Sequence, residues 1–359
     1  MEEEPPIYRL PHDTLHQIFS TLPLRQIILC RTLSKFFHHL LSTPSFLHLL
    51  AATHPPLHLL ALRHHHPHSH PLHLFDPELN TWLHFPLHFL PFHSPLPVAS
   101  SHGLLYLWAQ PNPPRPNSPK SLISCNPLTR QFRILPHLGS AWSRHGSVLV
   151  DSANRVMVLT ELAALYCNNS SHWLKFSSNL PSKPRSPLLI GDSAFALCDV
   201  GSPWRSQWKL YSCRAGAATA WSRLERHEWG DVFDILKRPR LVRGHGNRIL
   251  MVGGLKSSFS LNSPCSTILV LRLNLDSLEW DEAARMPPEM FRCFQESSKF
   301  KVFGAGDRVC FSAKRIGKLA LWDRRAAKGE EWRWIDNLPG NADGLYRGFV
   351  FEGRVNAVP

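Results

Sequence analysis

The chain has 359 residues, 43% of them hydrophobic, with 12 Trp, 20 Phe and 31 Pro, a composition that excludes a disordered chain and a mainly helical one. Its formal charge of +13 favours encounter with acidic proteins or nucleic acid without choosing between them. No apolar run reaches the roughly 18 residues of a membrane span, and the acidic start Met1-Glu2-Glu3-Glu4 is unlike a secretory signal. A soluble protein of the nucleus or cytoplasm is expected, with no membrane partner.

Residues 1–52 read as a small helical domain. Leu15, Ile18, Phe19 and Leu22, then Leu24, Ile27, Ile28 and Leu29, recur at helical intervals. A second set, Leu33, Phe36, Phe37, Leu40 and Leu41, follows Arg31 and Ser34-Lys35, and Pro44-Ser45-Phe46-Leu47 closes the segment. Roughly fifty residues bury too little apolar surface to be comfortably stable alone. The pattern alone fits either a partner-binding face or a cap packed on the next domain.

Leu10-Pro11, Ile18-Phe19, Leu22-Pro23-Leu24, Arg31, Ser34-Lys35 and Pro44-Ser45-Phe46-Leu47 resemble, in order and spacing, the motif of the F-box domain. Phe37 stands where that motif often has Trp, and Thr32-Leu33 where a Val-Cys type pair is usual. The resemblance implies a trihelical domain whose exposed apolar surface binds a Skp-family adaptor and, through it, a cullin in a ubiquitin ligase. With the apolar spacing, it nominates Leu10, Pro11, Leu15, Ile18, Leu22, Pro23 and Leu24 for adaptor docking.

Residues 53–71 are rich in His and Pro and are expected to be a linker. The imidazoles of His64-His65-His66-Pro67-His68-Ser69-His70 could ligate zinc, nickel or copper. The interrupted, low-complexity tract fits a solvated connection better, so no metal is assigned. The 8 cysteines are scattered without a Cys-x-x-Cys pair, the usage of free thiols rather than of disulfides or a zinc site.

Residues 72–359 carry an internal repeat of about fifty residues. Leu74-Phe75-Asp76-Pro77-Glu78-Leu79-Asn80-Thr81-Trp82 is echoed from Ser124-Cys125-Asn126 to Phe132 and from Leu273-Asn274 to Trp280. In each copy a strand meets Asp or Asn, turns, and reaches an aromatic residue six positions on. Looser copies end at Trp173, Trp221 and Trp332, making six, and a second turn-and-strand element such as Asn154-Arg155-Val156 or Asn247-Arg248-Ile249 lies between copies. About four short strands per copy make a propeller blade.

The repeat is similar to kelch repeats, whose diglycine survives at Gly253-Gly254, and the whole chain resembles the F-box/kelch-repeat proteins of plants. The expected fold is mainly β, a six-bladed kelch-like β-propeller preceded by a small α-helical F-box domain. The last strand, near Phe349 to Val355, is expected to close the ring by pairing into the first blade. The repeat aromatics, Trp82, Phe132, Trp173, Trp221 and Trp280, are expected to be spacers between blades.

Gly244-His245-Gly246 and Gly304-Ala305-Gly306 do not complete a phosphate loop, and neither a nucleophile elbow nor a zinc-protease helix is present. No cofactor and no catalytic residue is assigned. Trp204-Arg205-Ser206-Gln207-Trp208-Lys209 and Lys237-Arg238-Pro239-Arg240 mix cations with aromatics; they are read as solvated faces, and direct nucleic-acid binding is not expected. Trp142, Arg144, His145, Trp204 and Arg205 lie outside the repeated strand positions and are nominated for contact with a target protein. The expected function is that of a non-enzymatic substrate receptor; a non-degradative scaffold or transcriptional co-regulator built from the same modules is the alternative.

Overall fold

The computed structural model describes residues 6–63, 72–112, 120–167, 172–215, 220–230, 232–257, 264–295, 300–340 and 344–359. A 3-10 turn, Pro6–Arg9, precedes four helices: α1 (His12–Ser20), α2 (Leu24–Cys30), α3 (Lys35–Leu40) and α4 (Pro44–Thr53). Proline sets three of their starts. Pro11 and Pro23 are the N-caps of α1 and α2, and Pro44 opens α4, where its missing N–H costs no hydrogen bond. Ser34 starts α3, its Oγ accepting the Phe37 N–H at 3.3 Å. The module has four short helices rather than three because Thr43-Pro44 restarts the chain after α3.

The rest is mainly strand, as expected, in a propeller arrangement. From the axis outward the first sheet holds β24 (Arg347–Gly353), β1 (Leu57–Arg63), β2 (Leu72–Asp76) and β3 (Thr81–Phe85). The second holds β4 (Phe92–Ser101), β5 (Leu104–Pro111), β6 (Ser121–Asn126) and β7 (Gln131–Ile134). In the third are β8 (Ser147–Val150), β9 (Val156–Leu159), β10 (Ala163–Cys167) and β11 (Leu174–Ser177); in the fourth, β12 (Arg185–Ile190), β13 (Ser193–Asp199), β14 (Trp208–Arg214) and β15 (Ser222–Leu224).

The fifth sheet departs from expectation. It has eight strands in the order β19-β18-β17-β16-β20-β21-β22-β23, so four four-stranded sheets and one large sheet replace six separate kelch-type blades. Its two antiparallel runs are β16 (Leu236–Arg243), β17 (Arg248–Lys256), β18 (Cys265–Asn274) and β19 (Trp280–Arg285), then β20 (Phe300–Ala305), β21 (Arg308–Ala313), β22 (Leu319–Asp323) and β23 (Trp332–Ile335). A single parallel pairing, Arg243 with Ala305, fuses them. The diglycine lies inside β17, where a Cβ on Gly253 would stand 2.9 Å from Leu236 Cβ and one on Gly254 2.5 Å from Cys265 Sγ; here it serves close strand packing.

The ring is closed by the last strand, as expected. β24 pairs antiparallel with β1 from Leu57 opposite Gly353 to Arg63 opposite Arg347. The propeller therefore begins at residue 57, and the expected linker of residues 53–71 is shorter: the apolar run Leu57-His58-Leu59-Leu60-Ala61-Leu62 is a sheet strand. The histidine tract lies outside the described residues. Innermost strands β4, β8, β12, β16, β20 and β24 each touch the next around the axis.

The middle strands of the sheets are buried on both faces, which explains their near-continuous apolar sequences: β5 and β6 are almost wholly buried, whereas the innermost β4 is mostly half-buried and β7, at the rim, is exposed. The repeated Asp or Asn closes a turn between the third and fourth strands. Asp76 Oδ1 accepts the Glu78 N–H at 3.0 Å, Asn126 Oδ1 that of Leu128 at 3.0 Å, and Asn274 Oδ1 that of Asp276 at 3.0 Å. Four residues later each copy turns left-handed, at Asn80 (φ 53°), Arg130 (φ 62°) and Leu278 (φ 58°). Two repeat indoles bridge neighbouring sheets: Trp82 Nε1 donates to the Asp336 carbonyl at 3.1 Å and Trp173 Nε1 to that of Pro136 at 2.9 Å. Phe132 is instead 38% exposed.

A further repeat escapes a reading of turns alone. Ser94-Pro95, Ser186-Pro187 and Arg238-Pro239 each sit early in an innermost strand, with φ of 47°, 47° and 55° at the residue before proline. Each interrupts the register with its neighbour, between His93 and Leu96, Arg185 and Leu188, and Lys237 and Arg240. These are bulges, which re-aim the side chains around them.

Candidate functional site

Antiparallel pairing fixes which loops share an end of the propeller. The turns between third and fourth strands lie at one end, with the carboxyl end of β24; the links from rim strands back to the axis lie at the other. The helical module occupies the first end. Leu15, Phe19, Leu24, Ile27, Phe37, Leu40, Phe46 and Leu50 form its core, which continues into Leu128 and Val355 of the propeller.

Polar contacts across this junction are specific. Arg25 Nη2 donates to Asp76 Oδ1 at 2.8 Å and to Glu78 Oε2 at 2.9 Å. Arg31, buried, donates from Nη1 to the Leu128 carbonyl at 3.2 Å. Burial, and then the Arg130 charge, push the Arg31 guanidinium below its usual pKa. The module is thus both packed onto the next domain and left with an exposed apolar surface.

The residues nominated for docking divide. Leu10, Pro11, Ile18 and Pro23 are exposed, and Leu22 is half-buried, its carbonyl accepting from His54 Nε2 at 2.9 Å. Leu15 and Leu24 are buried core residues, so the structure corrects their placement on an accessible face: they hold the helices together. Ile7, Leu29 and Leu33 are exposed apolar residues that the nomination missed, Leu29 at 65% and Leu33 at 70%. The signal was present in the helical period. Leu24 and Ile27 share the inward face of α2, and Leu29 falls two residues past Ile27, on the other side.

The opposite end carries the target-binding nominees. Trp142, Arg144 and His145 are on α5 (Ser140–His145), between β7 and β8. Trp142 is half-buried against the core around Tyr106 and Trp108, whereas Arg144 and His145 are exposed. Trp204, 86% exposed, and Arg205 top the loop between β13 and β14. That loop is shaped by Asp199, whose Oδ1 accepts the N–H groups of Gly201 (3.1 Å) and Gln207 (2.8 Å).

None of these five lines the cavity at this end, which measures about 720 Å³. One wall is cationic, with Arg185 from β12 and Lys237, Arg238 and Arg240 from β16; Ile268, Phe300 and two residues of α6 (Pro288–Gln295), Phe291 and Phe294, make an apolar wall. The run Lys237-Arg238-Pro239-Arg240, read from sequence as a solvated face, lines the cavity at its bulge, with Arg238 exposed and Lys237 and Arg240 half-buried. Arg240 is pushed down to about 10 by burial and then by the charges of Arg185, Arg347 and Arg238. Burial also lowers Arg185, with Arg238 adding to the effect and Asp199 opposing it.

An F-box protein is the class defined by residues 7–49, which match the F-box domain family. The chain belongs to the family of the Arabidopsis thaliana protein named SKP1-interacting partner 15. It is 61% identical to that protein over 378 residues, covering 99% of this chain and 100% of the relative. Among solved structures, a chain of a nidogen/laminin complex superposes with a TM-score of 0.48 at 10% identity, covering 84% of this chain and 99% of that one. For the β-propeller domain of the Trilobed protease from Pyrococcus furiosus the values are 0.39 and 12%, covering 71% and 72%.

Proposed function

We propose that this protein is the substrate-recognition subunit of an SCF-type (Skp-cullin-F-box) ubiquitin ligase. Its helical module holds a Skp-family adaptor and, through it, a cullin; the loop end of the propeller holds a target protein. The observation that carries this reading is an opposition: exposed apolar residues lie at one end and a cationic and apolar cavity at the other. The F-box match and the name of the Arabidopsis relative support the adaptor half.

Such a receptor needs no nucleophile or base. It raises the effective concentration of a target beside a subunit that carries the chemistry. The reading makes the chain a non-catalytic receptor of the nucleus or cytoplasm. A kelch-type ancestry for the repeat is supported by Gly253-Gly254 and is not needed by the mechanism.

Capture of the tagged full chain after co-expression with a Skp-family adaptor should retain the adaptor in stoichiometric amount. Ile18→Asp or Leu33→Asp should release it without lowering the melting temperature, since both side chains are exposed. An adaptor that does not co-purify with the unaltered chain ends the reading. Target half-life with and without the receptor separates degradation from scaffolding.

A further inference from the structure

A kinase pocket that offers no acceptor to the residue after the target serine selects proline there, because proline brings no backbone N–H to be stranded. A cation three positions after the serine adds a charge-assisted contact. Six Ser-Pro or Thr-Pro steps occur in the chain, at Thr43, Ser94, Ser118, Ser186, Ser202 and Ser263. Of these, Ser202-Pro203-Trp204-Arg205 is the one with Lys or Arg at the third position.

The fold sorts them independently. Thr43 is half-buried at the start of α4, its hydroxyl donating to the Leu40 carbonyl at 2.9 Å. Ser94 and Ser186 are half-buried in the innermost strands β4 and β12. Each is held at φ 47°, a left-handed conformation that a groove built for an extended segment rejects. Ser118 and Ser263 lie outside the described residues. Ser202 stands in the loop between β13 and β14, where residues 201–207 are all exposed.

This loop can open without disturbing its sheet. Its base is closed by the Val200 N–H on the Gln207 carbonyl at 2.8 Å and by the two N–H groups that Asp199 accepts. Among the described residues, one donor holds the turn from Ser202 to Arg205. It is the Arg205 N–H, shared between the Ser202 carbonyl at 3.1 Å and Ser202 Oγ at 3.2 Å. Trp204, 86% exposed, adds no packing that would resist opening. Extending Ser202 and Pro203 into a kinase groove therefore costs that one shared hydrogen bond.

We propose that Ser202 is a phosphorylation site for a proline-directed serine kinase. Ser202 Oγ bonds to the γ-phosphorus of ATP while the bond from that phosphorus to the β–γ bridging oxygen breaks, its electron pair leaving on ADP. The hydroxyl proton passes to the catalytic aspartate of the kinase. The product adds about −1.5 to −2 charge at pH 7 to a loop that presents Trp204 and Arg205. The inference goes beyond the receptor reading and does not depend on it.

The test is incubation of the full chain with magnesium, ATP and a purified cyclin-dependent kinase, with the phosphate located by mass spectrometry. Stoichiometric incorporation at Ser202 is expected, and Ser202→Ala should abolish the fast phase. Arg205→Ala should slow incorporation about tenfold through loss of one charge-assisted contact. Pro203→Ala should slow it at least as much. Both positions are exposed, and an unchanged melting temperature shows that the slower rate does not come from unfolding. A synthetic peptide of residues 198–209 gives the rate without the fold.

Incorporation in the peptide but not in the folded chain, or in neither, overturns the proposal. So does modification of Thr43, Ser94 or Ser186 in the folded chain as fast as Ser202, or a rate indifferent to Arg205→Ala. Adaptor capture scores the receptor reading separately, because the helical module lies at the other end of the propeller.

Discussion

Arg25 of the helical module and Asp76 of the first sheet are joined by two hydrogen bonds, one of 2.8 Å between Nη2 and Oδ1. Asp76 is fully buried while Arg25 retains a quarter of its side-chain exposure. Hydrogen bonding to Asp76 is the largest cause raising the arginine pKa. Arg25→Ala would leave Asp76 buried with its turn hydrogen bonds but without its counter-charge. Removing one partner of a fully buried pair costs about 3–5 kcal/mol; with Arg25 partly solvated, about 2 kcal/mol is expected. Asp76→Asn keeps the acceptor of the turn and should cost less than Asp76→Ala. Urea denaturation of the full chain measures all three, and an Arg25→Ala variant as stable as the parent would show that the pair does not fasten the module.

Arg130 adopts φ 62° on an exposed turn where two equivalent copies have Asn80 and Leu278. A left-handed conformation costs an ordinary L-residue roughly 1–2 kcal/mol and costs Asn less. Arg130 also repels the buried Arg31. Arg130→Asn should therefore stabilise the protein by about 0.5–1 kcal/mol. Asn80→Leu, the reverse change on the same turn, should destabilise it by a similar amount. A lower melting temperature for Arg130→Asn would contradict this account.

Much of the fold was legible because its signals are local. Pro11, Pro23 and Pro44 announce helix starts, and Asp76, Asn126 and Asn274 announce a repeated turn. What was not legible is long-range. Leu57–Arg63 sits among His and Pro and reads as a connection until its partner, β24 at the far end of the chain, is known. The fused sheet depends on one pairing, Arg243 with Ala305, that no pattern encodes. In the module, core and surface both use apolar residues on helices of ten residues or fewer. Periodicity finds the set but does not sort Leu15 from Ile18. Lys237-Arg238-Pro239-Arg240 shows the same limit: charge predicts solvation, which holds for exposed Arg238, whereas Arg240, just past the bulge, is half-buried at the cavity.

Stability should fall on mild acidification. His58, half-buried on β1, has its pKa lowered chiefly by burial; Arg325, Arg308 and Arg354 add to this and Glu352 opposes it. His102 is lowered by burial first and Arg354 next. A folded-state histidine pKa below the unfolded value of about 6.5 means that the unfolded chain binds more protons in that window. Stability is then full above the unfolded value and is lost as pH falls through 6.5 towards the folded value. The melting temperature should be lower at about pH 5.5 than at about pH 7.5. Replacing both residues by Gln should shrink that difference, and an unchanged pH dependence in the double variant would discharge these two histidines.

The thiols should separate by reactivity. Burial pushes Cys125 and Cys213 up to about 12 and Cys198 up to about 11, and it also raises Cys310, which is buried. Cys293 is the exposed cysteine of α6, next to Phe294 at the cavity wall. Because the thiolate is the nucleophile and needs access, maleimide at about pH 7.5 should modify Cys293 first. These four thiols, and that of Cys167, which is also buried, should follow only after denaturation. Peptide mapping by mass spectrometry over a labelling time course gives the order, and Cys293→Ser should abolish the fast phase. A fast phase that survives Cys293→Ser would place the reactive thiol elsewhere.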